Sequence, residues 1–171
     1  MWARVVRIND SLDAALLRLQ PLVSIDQPRV LLASTSIRGW TAVFDGNYHG
    51  HGVDNLVTYL ARALRIQGYF IASTPPASGP ERPMGGRQFY VLDPKRWFSY
   101  IRMIWLIEES AGRWDFDTFG EIQPYEDVKA YRRRRHTDRF TERMLVDYAA
   151  AVGLHPWEST KIGRASCRER V

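Results

Sequence analysis

The stretch FDGNYHGHGVDN, Phe44 to Asn55, sets two imidazoles two residues apart and flanks them with the carboxylates of Asp45 and Asp54. On an extended segment His49 and His51 project to one side, an arrangement that zinc and iron sites use. With Asp45 the same imidazoles could instead move protons in a small enzyme. A metal needs a third ligand, and His136 and His155 lie far along the chain in no recognised ligand spacing. Gly46, Asn47, Gly50 and Gly52 are turn formers, and Asp54 or Asn55 suits the positive end of a following helix. The expectation is therefore a turn entering a helix. Asp45, His49 and His51 stand as the enzyme or metal-binding alternative; no metal ligand set and no cofactor are assigned.

Other chemistry is thinner. Asp115, Asp117 and Glu121 could join Asp45 as paired carboxylates for acid–base work, but solvated strand faces account for them as well. No nucleophile elbow, phosphate-binding loop or dinucleotide fingerprint is present in the sequence. RRRR, Arg132 to Arg135, invites a nucleic-acid reading through a basic helix. Four consecutive helical positions point to all sides, however, so they cannot meet one phosphate backbone together. Aromatic and arginine side chains dominate binding surfaces, which makes Trp40, Tyr48, Trp97, Arg132, Arg133 and Trp157 the candidate anchors for a protein partner.

The chain ends KIGRASCRERV, and Ile162 to Val171 is the in-frame translation of ATC GGA AGA GCG TCG TGT AGG GAA AGA GTG. That string resembles a short-read sequencing adaptor, so Lys161–Val171 is expected to be a non-native tail, with the genuine chain truncated near Thr160. The tail holds Lys161, Arg164, Arg168 and Arg170 against Glu169, a net of +3, so the formal charge of +5 falls to +2 without it. Bulk charge then gives little reason to expect nucleic acid. The single cysteine, Cys167, goes with the tail, which removes disulfide, thiolate and cysteine–zinc chemistry. No uninterrupted apolar run reaches the roughly 18 residues that cross a bilayer, and the N-terminus MWARVVRINDSLD lacks a signal-peptide core. A cytoplasmic protein with no membrane partner is expected.

The elements follow from hydrophobic period. Residues 2–8 read as a strand. Asn9 to Ser11 cap a helix whose Leu12, Ala15, Leu16 and Leu19 share a face, ended by Pro21. RVLLAST and WTAVFDG, joined by a turn with Gly39, read as a hairpin. From Val53 to Ile66 the period becomes helical, and Gly68 stops it. YFIAS, RQFYVLD, SYIRMIWLIEE and RWDFDTFG read as further strands, with a proline- and glycine-rich loop from Thr74 to Gly86. Two helices are predicted after them, Tyr125–His136 and Phe140–Gly153. In the second, Thr141 is the N-cap, Phe140 staples Leu145, and Gly153 terminates. The expected fold class is α+β: one domain over residues 1–160, with a largely antiparallel sheet of about five to seven strands, one central helix and a helical C-terminal section.

Three blocks, WTAVF at Trp40–Phe44, RWDFDTFGEIQPYE at Arg113–Glu126 and DRFTERMLVDY at Asp138–Tyr148, resemble an uncharacterised bacterial protein family with W-T-A-x-F-D-N-G, R-W-x-F…Q-P-[FY]-E and D-R-F-T motifs. Gly46-Asn47 stands where that pattern has Asn-Gly. The resemblance implies no activity. Small bacterial α+β proteins of this kind include many immunity proteins of toxin systems, an analogy at the level of fold. The expected function is a non-enzymatic cytoplasmic protein-binding domain, an immunity-type partner of a toxin. The alternatives are the enzyme or metal reading above and nucleic-acid binding through Arg132–Arg135.

Overall fold

The computed structural model describes residues 5–20, 29–46, 53–75, 85–95, 99–110, 112–158 and 162–168, the last segment by its backbone alone. The chain divides into two compact units, Met1–Val53 with His155–Val171, and Asp54–Leu154. All described strand pairings are antiparallel. The architecture is α+β, as the mixed periods imply, but the strands form two sheets where one was expected.

In the first unit, α1 (Leu12–Leu17) starts where the Ser11 hydroxyl accepts the Ala14 N–H at 3.3 Å. Its apolar stripe buries Ala15, and Leu19 just beyond it, against Ile8, Leu31 and Ala33. Strands β2 (Val30–Thr35) and β3 (Thr41–Asp45) form the expected hairpin, pairing Val30 with Asp45 through to Ser34 with Thr41. Ala42 and Phe44 pack on the small core, so the alternation in WTAVFD sets the inward face. Gly46 is buried at the hairpin's end, where a Cβ would lie 2.9 Å from the Leu19 carbonyl oxygen. The short β1 (Val5–Val6) and β8 (Ile162–Arg168) complete a sheet of order β1-β8-β2-β3. The segment expected to be adaptor-derived thus pairs through its backbone, which almost any sequence without proline can supply.

The second unit is a meander of β4 (Gly68–Thr74), β5 (Gly86–Leu92), β6 (Tyr100–Ser110) and β7 (Arg113–Gly120), paired in chain order. One sheet face carries Phe89, Val91, Ile104 and Leu106, all buried against α3 (Glu142–Ala151) through Met144, Leu145, Tyr148 and Ala149. The other face takes α2 (Val53–Leu64): Val57 and Ala61 lie over Gly68 and Leu92, and the Thr58 hydroxyl meets the Tyr100 hydroxyl at 2.8 Å. Gly120 has φ +88°, and a Cβ there would lie 2.1 Å from the Ile101 carbonyl oxygen, so only glycine lets the chain leave β7.

Helix α3 begins and ends as its sequence dictates. Thr141 accepts the Met144 N–H at 3.3 Å, and Phe140 and Leu145 are both fully buried in one cluster. At the far end Gly153 adopts φ +79°, while Leu154 N–H bonds Ala149 O at 2.8 Å and Gly153 N–H bonds Ala150 O at 2.9 Å, the paired closure of a Schellman motif. The basic helix expected over Tyr125–His136 does not form. Two short 3-10 turns, Ala130–Arg132 and His136–Asp138, replace it, with Arg133 and Arg135 extended between them. A continuous helix would place Arg132 and Arg135 one turn apart on one side. The Tyr131 hydroxyl instead bonds the buried Glu126 carboxylate on the segment after β7, and His136 bonds Trp114 O on β7, and those bonds outweigh local period.

Candidate functional site

Asp45 ends β3 opposite Val30 and is half-buried. Tyr48, His49 and His51 lie outside the described residues, as do Trp97 and residues 76–84 of the proline-rich loop. Among the described residues no group of three or more His, Cys, Asp or Glu side chains could hold a metal. The other carboxylates are not gathered. Asp115 and Asp117 sit on the outer face of β7, opposite Ile107 and Trp105, and Asp117 accepts the N–H of the adjoining Thr118 at 2.7 Å. Glu121 follows the strand, its N–H spent on Ile101 O at 2.9 Å.

What the structure does assemble is a buried ionic cluster that the sequence reading missed. Arg102 lies on the core face of β6 between Val91 and Gly120, and its side chain is 3% exposed. Its Nε and Nη2 donate to the two oxygens of Glu126 at 2.9 and 2.7 Å, and Nη1 donates to Gly120 O at 3.1 Å. Glu126 is fully buried at its side chain. Its Oε1 also accepts the Gln123 N–H at 2.7 Å, and its Oε2 accepts the Tyr131 hydroxyl at 2.9 Å. Four donors fill the carboxylate's capacity. The Tyr131 hydroxyl lies 3.1 Å from that of Tyr148, which accepts the Asp127 N–H at 2.7 Å.

This cluster is built to hold, not to react. A saturated carboxylate has no lone pair for a substrate proton or a cation, and a forked guanidinium cannot release its proton. Burial raises Tyr131 far above the ordinary phenol range, with the Tyr148 bond and the Glu126 charge adding to it. Tyr148 is raised by burial, while the bonds from Tyr131 and the Asp127 backbone oppose the rise. Tyr125, packed into the same group with its ring tilted 5.6 Å from that of Tyr148, is raised chiefly by burial and then by Tyr69 and Glu126. All three phenols therefore stay neutral hydrogen-bonding groups. A second buried carboxylate, Glu108, plays the same part at the other end of β6: it accepts Gly85 N–H at 3.1 Å and Gly112 N–H at 2.9 Å.

The frame has one exposed product. It fixes the segment carrying the arginine run. His136 Nδ1 is 2.6 Å from Trp114 O on β7. Arg139 donates through Nε to Arg133 O at 2.8 Å, and its guanidinium stands 5.8 Å over the Phe116 ring. Arg133 turns back on the same frame, donating to Asp138 O at 3.0 Å and pairing with Asp127 at 3.9 Å. Arg132, Arg134 and Arg135 are exposed, and their guanidinium groups have no bonded partner among the described residues.

Of the remaining anchors expected from sequence, Trp40 is half-buried beside the β2–β3 turn, its N–H bonded to Ile37 O at 3.1 Å. Trp157 is 47% exposed. The structure thus turns Arg132 and Trp157 outward, shares Arg133 between solvent and frame, and leaves Trp40 largely in its hairpin. One signal for the missed cluster was present: in YIRMIWLIEE, Arg102 falls in step with Ile104 and Leu106, which puts a charge on the core face and demands a buried partner. No protein-family model matches this chain, and neither a curated protein nor a solved structure does.

Proposed function

We propose that this chain is a non-catalytic protein-binding domain, acting in the cytoplasm as an immunity-type partner of a bacterial toxin. The observation that supports the reading is the arginine segment: its backbone is held by bonds from His136, Arg133 and Arg139, while three neighbouring guanidinium groups are left to solvent. Such an arrangement lowers the entropy lost on association, because the backbone bearing the contact residues is ordered beforehand. Arginine is also among the residues that carry most binding energy. The buried ionic cluster serves this reading as scaffold: its carboxylate is saturated within the fold, so its chemistry is spent on position. No helix among the described residues is long and apolar enough to cross a membrane.

The test is neutralisation. The protein encoded beside this gene is induced in a susceptible bacterium with and without the present chain. Rescue of growth supports the immunity reading. Undiminished killing, with the chain present at equal or greater amount, refutes it, and so does a neighbour that is harmless when expressed alone.

A further inference from the structure

We infer that Arg132, Arg134 and Arg135 form the docking point for an acidic segment of the partner protein, an inference that rests on the binding reading above. Between Asp127 and Arg143 the chain holds seven basic side chains, Lys129, Arg132, Arg133, Arg134, Arg135, Arg139 and Arg143, against three acidic ones, Asp127, Asp138 and Glu142. The frame consumes part of this excess. Arg133 pairs with Asp127, Arg143 with Asp147, and Arg139 caps Arg133 O over Phe116. What remains uncompensated is concentrated in the exposed triad. The cause is the break in the helix: Arg133, extended between the two 3-10 turns, folds back onto the frame and leaves its neighbours on both sides facing solvent.

The scale of the triad decides the class of partner. Positions 132 to 135 span at most about 10 Å of backbone, set by roughly 3.3–3.6 Å per residue. Residues three or four apart on a helix have Cβ atoms roughly 5–6 Å from one another, so two or three glutamates at that spacing match this patch. Tight binding to nucleic acid depends instead on many phosphate contacts along a longer track. Here such a track would run past Asp127, whose side chain is half exposed beside Arg133. Guanidinium forks also match carboxylates in paired geometry, which fixes orientation as well as charge.

The experiment measures fluorescence anisotropy at physiological salt with three probes: a labelled helical peptide bearing glutamates at three- and four-residue spacing, its glutamine counterpart, and a single-stranded oligonucleotide of equal charge. The proteins are the full chain, R132Q/R134Q/R135Q, and R7Q/R38Q/K95Q, which removes the same charge from exposed sites elsewhere. The expected result is that the arginine-run variant loses about tenfold in affinity for the glutamate peptide, the sum of three exposed ion pairs. The control variant is expected to change less than about twofold, since it leaves the arginine triad intact. Equal losses in both variants would overturn the inference, as would tighter binding of the oligonucleotide than of the glutamate peptide. Thermal transitions of both variants, expected to match the parent because neither set of side chains carries a core contact, separate surface effects from unfolding. The same variants also separate this inference from the function it rests on. A neighbour-encoded toxin that binds R132Q/R134Q/R135Q as tightly as the parent refutes the docking point and leaves the binding reading intact. A toxin that binds neither refutes both.

Discussion

Replacing Glu126 by Gln removes one charge from a pair in which both side chains are almost wholly out of water, 3% exposed at Arg102 and 0% at Glu126. The amide can still accept from Gln123 N–H or from Tyr131, but it presents one oxygen where the carboxylate presents two, and its NH2 group faces the Arg102 fork donor against donor. The cost is set by the uncompensated guanidinium: breaking a buried pair from one side destabilises by about 3–5 kcal/mol. Domains commonly have only about 5–15 kcal/mol in total. For a unit this size each kcal/mol moves the midpoint by about 4–8 °C, so the melting temperature should fall by more than about 12 °C. Urea unfolding followed by the fluorescence of Trp105 and Trp114, on the neighbouring strands β6 and β7, reads the effect directly. The double variant R102M/E126Q, in which no buried charge survives, should recover at least half of the loss. A cost below about 1 kcal/mol for E126Q would refute the reasoning, since that is the worth of an exposed pair. Strict additivity in the double variant would refute it too, because groups in one network must couple.

Four further outcomes are expected. Gly120→Ala forces a left-handed φ of +88° on a residue with a Cβ and drives that Cβ into Ile101 O, so calorimetry should show a loss of at least about 1–2 kcal/mol; an unchanged transition would contradict the β7 exit geometry. Tyr90 is pushed up to about 12, by burial first and then by Asp54 and Tyr100, from an unfolded value of 10.0. A phenol that must stay protonated in the fold contributes nothing to pH dependence below the unfolded value, and its stability is lost as pH rises from 10 toward 12. Chemical denaturation across that window should show a decline that is shallower in Tyr90→Phe, and identical slopes would be the contrary result. Direct sequencing of the gene from genomic DNA should depart from the adaptor-like codons after Lys161, and finding those codons unchanged would contradict the adaptor reading. In a protein ending at Thr160, amides of β2 that pair with β8 should exchange faster, and equal exchange would contradict that pairing.

The elements that read correctly are those whose signals are local. The β2–β3 hairpin, α2, the β6–β7 hairpin and α3 each carry their own period, cap and turn residue, and the structure keeps all four. What escaped the sequence depends on contacts made at a distance. Nothing within Tyr125–His136 tells that Glu126 will be taken by Arg102 or that His136 will reach Trp114 O, so a helical stripe became two tight turns. The division of the strands into two sheets likewise depends on which edges meet, and alternation within a strand does not encode that. Arg102 was legible in principle. Its step with Ile104 and Leu106 marks it as a core charge, but the partner sits 24 residues away on a loop with no period of its own.

The mass of a complex tests partner binding most directly. Light scattering after size-exclusion chromatography of this chain mixed with the protein encoded beside it should give one species at the summed mass, and R132Q/R134Q/R135Q should shift that species back toward its separate components. Two independent peaks from the unaltered chain, at concentrations well above those in the cell, would contradict it.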